Sequence, residues 1–566
     1  MSDNIAYENT RIGETPLDWQ SVSQKQIIVP IADSNATNYN GNIRYNITSL
    51  QGSFVNWNEA ILQIPIQLNL NITTSGTTQI TAVNQWAMGM RNGTIHLLDN
   101  FELKLNGVQL VTPQQYTNIF ACFRMLSSWS KDTLQKVGPS VCFYPDSSAS
   151  LRWIVAGTAN ANGDNISNNV DFPGTTVILA TAAGQTVAPE VYNDGFYRRQ
   201  QFLFSYNSIG YGGFLGTGTG IPGIPVAGLV QPAKSYFVVG TPATSAIAGV
   251  NADVGIWHLM CQIRLCDYHD IFKKLPFSEY GQVEMTFYYN QFNPTFTTAA
   301  GTMVLATVGQ QFGNTNPFMI PSAAASNGSA LTCAAGNAGT AKLTMKIGNA
   351  INSGTQLFIP TYKLDPEYRA NLIATRPFSI CRYEKMLQNQ TTVARQTGFN
   401  FNVTPGQANL KYIVVVPYYS TQNNGQTGGA GAVAQFQNPF DSAGGGTTCP
   451  LASIVQFNCL VNNNPVLPSN CNYEFDMFLN QVQRINALNA SDVDSLNSGL
   501  ISEFMWTNSF RYYIVCLQRE ELENSSSPKS VNIIGTNNTN VQLDLFTFLV
   551  FENEVKIYTQ TGIVEA

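Results

Sequence analysis

The chain has few charged side chains. Asp, Glu, Lys and Arg make up 11% of its 566 residues, against roughly 25% in a typical soluble protein. Asn, Thr, Gln, Ser and Gly fill the polar positions instead. Because uncharged polar surfaces pack together without removing ions from water, this composition favours a protein whose surface is covered largely by copies of itself. A secreted or low-charge β protein is the alternative interpretation.

Basic and long apolar runs are also missing. Lys234 is the single Lys or Arg between Arg199 and Arg264, and the net charge is −6, so no basic surface for nucleic-acid phosphates is expected. No apolar run approaches the ~20 residues of a membrane helix, and Met1–Glu8 lacks the basic and apolar regions of a signal peptide. We therefore expect no membrane span, no sequence-specific nucleic-acid binding and synthesis in soluble form inside a cell.

Cysteine and histidine patterns do not predict a metal site. The ten cysteines include no Cys-x-x-Cys and are expected to be mostly buried thiols, since a chain this long does not need disulfides. His258, Cys261, Cys266 and His269 have the residue types of a zinc site. A strand, however, places His258 and Cys261 on opposite faces and, at ~3.3 Å per residue, separates His258 from Cys266 by about 26 Å.

Two other patterns resemble those of enzymes. Gly218–Gly223 matches the dinucleotide-binding pattern G-x-G-x-x-G, but Pro222 and the lack of a following helix leave no helix N-terminus for a phosphate, so we interpret it as a loop. His96, His258 and His269 each lack the context of a nucleophile motif.

Carboxylate pairs are the last catalytic candidates. A glycosidase needs two carboxyl groups roughly 5 to 10 Å apart, and the pairs Asp492/Asp494 and Glu552/Glu554 have these residue types. We interpret the second pair as a solvent-facing pair beside Lys556. The sequence thus predicts no catalytic residue, no cofactor, no metal ligand and no enzyme.

Period-two alternation of apolar and polar residues dominates both halves of the chain and predicts β-strands with one buried face. Pro65 suggests that its strand lies at a sheet edge or carries a bulge. The predicted strands are Gln26–Pro30, Asn42–Ser49, Leu62–Leu70, Phe101–Leu105, Gln200–Tyr206, Leu357–Tyr362, Gly398–Val403, Lys411–Pro417, Ile454–Val461, Phe510–Gln518 and Gln542–Tyr558. Turns rich in Gly, Asn or Pro separate most of them, which favours sandwiches.

A strand, one short helix and a second strand are predicted between Trp257 and Asn290. Asp267 is the expected helix N-cap, and Pro276 prevents continuation. The predicted buried positions are Tyr268, Ile271, Phe272 and Leu275 on the helix and Val283, Met285 and Phe287 on the second strand. Further helices are predicted to open at Thr112–Pro113 and to span Asn472–Ile485, so each half has a helix between strands.

The length exceeds what one hydrophobic core usually serves, since domains run roughly 50 to 250 residues. We divide the chain into an N-terminal arm at 1–18, a first sandwich at 19–368 and a second at 369–566. The segments 130–192, 207–252 and 292–341 are rich in small residues and have weak periodicity. We expect them to form surface projections with some strands of their own.

One segment resembles a known family. Ile263–Leu265 followed by Asp267–Pro276 is similar to the strand and helix of double jelly-roll major capsid proteins of virophages and polinton-like viruses, which commonly carry an aromatic pair and Lys-Leu-Pro there. Leu357–Arg369 resembles the exit from the first jelly roll. Further segments appear in the family's order, namely Asn438–Ser442, Val455–Asn458, Tyr473–Phe475, Ser498–Ser502 and Pro528–Val531.

The resemblance implies an all-β fold of two tandem eight-stranded jelly-roll sandwiches with short inserted helices and long loops. It further implies a homotrimer that forms a pseudo-hexameric capsomer and tiles an icosahedral virion, assembled inside the host cell. Neighbouring capsomers, a penton protein and minor or cement capsid proteins are the implied partners. The three projections would form outward towers, and the arm at 1–18 would reach under a neighbouring capsomer. A viral spike or fibre protein and a carbohydrate-binding or hydrolytic β-sandwich protein are the alternatives.

Overall fold

A computed structural model gives the fold. It describes residues 22–48, 50, 52–74, 89–91, 93–145, 236–239, 252–290, 295–299, 302–307, 317–319, 339–348, 354–403, 410–419, 454–468, 472–488, 499–508, 510–517, 530–539 and 542–565. The predicted N-terminal arm at 1–18 and the predicted strand Gln200–Tyr206 lie outside these residues.

The first half of the chain contains sixteen strands and five α-helices in the described residues. The strands are β1 (Val22–Ala32), β2 (Asn42–Ile47), β3 (Phe54–Val55), β4 (Ile61–Thr74), β5 (Gly89–Met90), β6 (Leu98–Leu105), β7 (Val108–Val111), β8 (Tyr236–Val239), β9 (Ala252–Arg264), β10 (Ser278–Glu279), β11 (Val283–Tyr289), β12 (Thr295–Ala299), β13 (Thr302–Thr307), β14 (Phe318–Met319), β15 (Gly339–Ile347) and β16 (Gln356–Leu364). The α-helices are α1 (Thr117–Ser128), α2 (Lys131–Val137), α3 (Leu265–Tyr268), α4 (Ile271–Lys274) and α5 (Pro366–Thr375), and short 3-10 helices cover Trp57–Glu59 and Thr94–Leu97.

The second half contains nine strands and two α-helices in the described residues. The strands are β17 (Phe378–Val393), β18 (Gly398–Asn402), β19 (Leu410–Tyr419), β20 (Ile454–Val461), β21 (Asn464–Pro465), β22 (Tyr513–Cys516), β23 (Val531–Asn537), β24 (Leu543–Tyr558) and β25 (Val564–Glu565). The helices are α6 (Phe475–Leu488) and α7 (Glu503–Asn508).

Both halves have the same sheet topology. The first sandwich pairs its main strands in the orders β1–β16–β4–β9 and β2–β11–β6–β7, and the second in the orders β17–β24–β19–β22 and β18–β23–β20–β21. If the eight main strands of each half are numbered along the chain, one sheet of each sandwich has the strand order 1-8-3-6 and the other has the order 2-7-4-5. This order is that of a jelly roll. The predicted fold of two tandem jelly rolls is confirmed.

The alternating positions form the core of the first sandwich. Leu62, Ile64, Ile66 and Leu68 of β4 are at most 1% exposed. The other predicted inward positions, Phe101, Leu103, Leu105, Val283, Met285 and Phe287, are also buried. Period two along each strand therefore identified the inward face correctly.

The predicted helix after β9 is two short helices. His269 has extended backbone (φ −143°, ψ 138°) and separates α3 from α4. The N-cap prediction for Asp267 is wrong, because Arg264 occupies the N-cap of α3 and Asp267 lies in its first turn. The Asp267 carboxylate instead accepts a hydrogen bond from Trp129 Nε1 (3.4 Å) and pairs with Arg264 (3.4 Å). The predicted buried face is confirmed, since Tyr268, Ile271, Phe272 and Leu275 are at most 9% exposed.

Pro65 does not mark an edge or a bulge. Its strand β4 is central in the sheet, and Pro65 pairs with Met260 of β9 without a register shift. On the other side of β4, β15 pairs as far as Ile66 and β16 begins opposite Gln63. The Pro65 carbonyl accepts the Gly348 N–H (2.8 Å) on that side. The missing N–H of Pro65 therefore faces the gap between two partner strands, where a proline removes no ladder hydrogen bond.

Helix boundaries differ from the predictions by several residues. Helix α1 starts at Thr117 rather than near Thr112–Pro113, because Tyr116 adopts a left-handed conformation (φ 63°). Helix α6 likewise starts at Phe475. The strand within Leu357–Arg369 ends at Leu364, since Asp365 caps α5 by accepting the Glu367 N–H (3.0 Å). The predicted domain boundary at 368/369 falls inside α5.

Described strands of the predicted projections attach to one end of the first sandwich. Strand β15 pairs with β4 from Ile66 to Thr74, and β12 and β13 extend the sheet beyond β15. Strand β8 pairs with the first half of β9. This end is opposite to the end from which α5 leaves. The start of the segment 130–192 is not a projection, because Val141, Cys142 and Phe143 are buried in the core.

Candidate functional site: the junction between the two sandwiches

The residues considered as zinc ligands do not form a described site. Cys261 lies in β9 and Cys266 in α3, and both side chains are buried. The side chain of His258 lies outside the described set. Among the described residues, no group of three or more His, Cys, Asp or Glu side chains is placed to hold a metal. The segment Gly218–Gly223 and the pair Asp492/Asp494 lie outside the described residues.

The cysteine prediction is confirmed where the structure describes it. Cys122, Cys142, Cys261, Cys266, Cys381, Cys459 and Cys516 are free and buried. Burial raises the pKa of the Cys459 thiol to about 12 and that of Cys516 to about 11. The Cys459 and Cys516 thiols are therefore protonated near neutral pH and are poor nucleophiles.

Glu552 and Glu554 each contact a cation. The Glu554 carboxylate accepts a hydrogen bond from Arg382 Nε (2.6 Å) on β17, and that of Glu552 lies 3.3 Å from Lys411 Nζ on β19. The solvent-facing interpretation holds for Glu554, whose side chain is 50% exposed. It is wrong for Glu552, which is 15% exposed, because Lys411 holds it at the junction between the sandwiches.

A groove of about 400 Å³ lies between α6 and α7. Its acidic side chains are Glu474, Asp476 and Glu503. Trp506 lies beside them, but it is 3% exposed, because the rings of Phe475 and Phe478 pack against it and the Arg511 guanidinium lies 4.5 Å from its ring centre. The groove therefore does not present the open tryptophan face on which a sugar ring would stack.

Helix α1 joins the two sandwiches. Its Phe120 ring lies 5.4 Å from that of Phe548 on β24, and its Phe123 ring 5.0 Å from that of Tyr512 beside β22. Tyr116, which precedes the helix, packs edge-on against Phe546 at 4.8 Å. These aromatic contacts bury the outer face of the β17–β24–β19–β22 sheet against the first sandwich.

Buried charges lie beside this aromatic contact. Asp270, between α3 and α4, accepts a hydrogen bond from Arg124 of α1 (2.9 Å) and another from the Glu384 N–H of β17 (3.2 Å). Burial raises the pKa of Asp270, but the positive charges of Arg124, Lys274 and Lys273 outweigh it and lower that pKa well below its ordinary value. Asp270 therefore remains ionised and binds both sandwiches.

The charge network continues into the second sandwich. The Glu384 carboxylate accepts a hydrogen bond from the Tyr412 hydroxyl (2.9 Å) and lies 3.7 Å from Lys411 Nζ. Lys411 sits at a β-bulge between Leu410 and Tyr412. A bulge changes the direction in which a side chain points. At this bulge, the Lys411 side chain lies beside the carboxylates of Glu384 and Glu552.

Close backbone contacts complete the junction. The Leu500 N–H donates to the Leu126 carbonyl (2.8 Å) at the end of α1. Gly499 precedes Leu500 with φ +67°, and an added Cβ would lie 2.4 Å from the same carbonyl oxygen. A side chain at this position is therefore excluded by both conformation and space. At the end of the junction near α5, the Glu279 N–H of the first sandwich donates a hydrogen bond to the Thr559 carbonyl of the second (3.0 Å).

The junction was not predicted from the sequence. The available signal was the scarcity of charge, because Lys411 stands in the otherwise apolar and aromatic strand Leu410–Tyr419. A lysine in a doubly buried strand requires an anionic partner. The identity of this anionic partner, and the element that carries it, depended on the tertiary structure.

The junction predicts a stability change with pH. The pKa of His269 is lowered from 6.5 to about 4, first by burial and then by the Arg124 charge, and its Nδ1 accepts the Ile271 N–H (3.2 Å). Between pH 6.5 and 4 the unfolded chain therefore binds a proton that the folded chain excludes, so stability falls by up to about 3 kcal/mol as pH falls through this range. Denaturant unfolding at several pH values measures it.

His269→Gln is the control for this pH dependence. Glutamine does not titrate, so the slope between pH 6.5 and 4 should flatten. Asp270 contributes its own loss of stability only as pH falls below its ordinary pKa of 3.8, outside that range. An unchanged slope in the variant would assign the pH dependence to other groups.

The strand order and the helical junction define a class: the chain is a tandem double jelly-roll protein. No protein-family model and no curated protein matches the sequence. Among solved structures, the chain is similar to a chain of the Sputnik virophage cryo-EM structure, with 12% identity, a TM-score of 0.47 and coverage of 98% of this chain and 90% of that chain.

Two named capsid proteins are similar at the same level. The mavirus major capsid protein has 10% identity and a TM-score of 0.44, with coverage of 98% of this chain and 91% of that chain. The Faustovirus major capsid protein also has 10% identity and a TM-score of 0.44, with coverage of 97% and 93%. The strand order of the chain itself defines its fold.

Proposed function

We propose that the protein is a major capsid protein whose homotrimer forms a pseudo-hexameric capsomer in an icosahedral virion. The single observation that carries the proposal is that two sandwiches of identical strand order are held side by side in one chain. Three such chains supply six similar lobes, and a closed ring of six lobes tiles a plane as a hexagon does. The scarcity of charged residues supports surfaces that pack against other copies.

The role is structural and involves no catalysis, cofactor or metal. In the described part of the chain, no helix has both the length and the apolar character of a membrane span. The attachment of β8, β12, β13 and β15 to one end of the first sandwich supports outward towers built from the segments 207–252 and 292–341, and we assign the remainder of the segment 130–192 to the same towers. Neighbouring capsomers, a penton protein and minor or cement proteins are the proposed partners, with the arm at 1–18 reaching under a neighbour.

Mass and particle shape test this proposal. Light scattering of the purified protein should give about three times the chain mass of 61.8 kDa, and electron microscopy should show flat six-lobed particles or sheets. A monomer would favour the carbohydrate-binding alternative. Elongated trimeric rods would favour a spike or fibre, so either result contradicts a capsomer.

A further inference from the structure

The two sandwiches differ in how one corresponding face is covered. In the second sandwich, Leu543–Phe551 of β24 and Lys411–Tyr418 of β19 are buried on both faces. One face meets the second sandwich's own core, and the other meets α1 of the first sandwich. The outer face of the β17–β24–β19–β22 sheet is thus covered within one chain along these parts of β24 and β19, whereas Phe378 and Ile380 of β17 are each 42% exposed.

The corresponding sheet of the first sandwich, β1–β16–β4–β9, has an outer face that remains half-exposed. Its cross-strand rows are mostly uncharged polar or apolar, and they are Gln356–Gln63–Gln262, Phe358–Ile61–Arg264 and Pro65–Met260. All of these side chains except Pro65 are partly exposed. A mixed face of glutamines and large apolar groups is typical of a surface that another protein covers.

Helices α6 and α7 stand at the same point in the strand order of the second sandwich as α1 does in that of the first. Both sets of helices follow the fifth main strand, which is β7 in one half and β21 in the other, and precede the sixth. Helix α1 covers the next sandwich of its own chain. Phe504 of α7 is 39% exposed, so this helix still presents a large apolar side chain to solvent.

Charges on these two surfaces are complementary. Glu474, Asp476 and Glu503 are exposed around α6 and α7. The outer face of the first sandwich carries the exposed Lys346 of β15, and Arg264 lies at the end of β9, where it also pairs with Asp267 of its own chain (3.4 Å). Opposite charges at the rim of an interface fix its register and suppress wrong partners.

We propose that α6 and α7 of one copy cover the outer face of the β1–β16–β4–β9 sheet of the next copy. The inference rests on the proposed capsomer and names the surface that builds it. Each of the six sandwiches then contacts the next through helices that follow its fifth strand. Contacts within and between chains alternate around the ring, and a rotation that closes after three copies leaves both surfaces fully occupied.

The polarity of charge distinguishes the two kinds of contact. Within the chain the helix carries the cation, Arg124, and it interacts with the Glu384 carboxylate of the covered sheet, which also pairs with Lys411 of that sheet (3.7 Å). Between chains the helices carry the carboxylates and the covered sheet carries the cations. Exchange of the two helical surfaces would bring like charges together, which disfavours wrong assembly.

Two substitutions test the proposal from opposite sides. Phe504→Asp on α7 and Met260→Asp on β9 each place a charge in the proposed contact, and each should raise the trimer dissociation constant roughly thirtyfold or more. Sedimentation over a concentration series measures this change. Ile563→Asp is the matched control, because Ile563 is 50% exposed and lies outside both surfaces; it should leave the dissociation constant unchanged.

Zero-length carbodiimide cross-linking of the wild-type trimer provides an independent measurement. It should join Lys346 of one copy to Glu474, Asp476 or Glu503 of another. If both variants formed trimers as stable as the wild type, and the wild-type trimer cross-linked at other residues, the proposed surface would be overturned. The proposed capsomer would still hold. A wild-type monomer would overturn the capsomer itself, so the two failures are distinguishable.

Discussion

Asp270→Asn is expected to lower the free energy of unfolding by about 3 to 5 kcal/mol, because removal of one partner leaves the other charge buried without compensation. Asp270 is 7% exposed and binds Arg124 of its own sandwich and the Glu384 N–H of the other. Its loss therefore weakens the first sandwich and the junction together. Guanidinium unfolding followed by tryptophan fluorescence measures the change.

Asp132→Asn is the matched control for this substitution. Asp132 also pairs with a cation, Lys136 at 2.8 Å, but both side chains are about 70% exposed (69% and 73%). An exposed pair within one helix contributes at most about 0.5 kcal/mol. If the two substitutions had equal effects, the buried network would not determine the stability of the junction.

Phe548→Ala is expected to cost about 3 to 5 kcal/mol of stability, through lost burial and the cavity left between the sandwiches. The side chain is fully buried and its ring lies 5.4 Å from that of Phe120 on α1. Because the two rings share one contact, Phe120→Ala combined with Phe548→Ala should cost less than the sum of the single changes. Denaturant unfolding of the four proteins in this cycle provides the measurement.

Phe378→Ala provides the control on the same sheet. Phe378 is 42% exposed, so truncation removes little buried area and creates no enclosed cavity. The expected loss is below about 1 kcal/mol. Strict additivity of Phe120→Ala and Phe548→Ala would contradict the assigned contact between α1 and β24.

The alternation of residues predicted the strands well but placed local features less accurately. Leu62 to Leu68 and Val283 to Phe287 were assigned the correct buried face, because inward and outward positions alternate along any strand. The N-cap role of Asp267 and the edge role of Pro65 were wrong. Both depended on neighbours distant in the chain, namely Trp129 for Asp267 and the interrupted β15 and β16 for Pro65.

The first strand of the second sandwich shows the same limit. Strand β17 was not predicted, since Phe378–Val393 mixes charged, polar and apolar residues without one clean period. The reason is its place at the junction, where Arg382 and Glu384 of β17 pair with cations, carboxylates and backbone groups of other elements. A strand with partners on its outer face loses the simple polar-out pattern.

The sequence by itself determined the all-β class, the tandem of two sandwiches, the buried face of most strands and the low charge expected of surfaces covered by other copies. These properties follow from composition and from periodicities that repeat every two residues. The tertiary structure alone decided the strand order of each jelly roll and the junction of Asp270, Arg124, Glu384 and Lys411. Those residues are up to 287 positions apart along the chain, between Arg124 and Lys411, and only folding brings their charges within ion-pair distance.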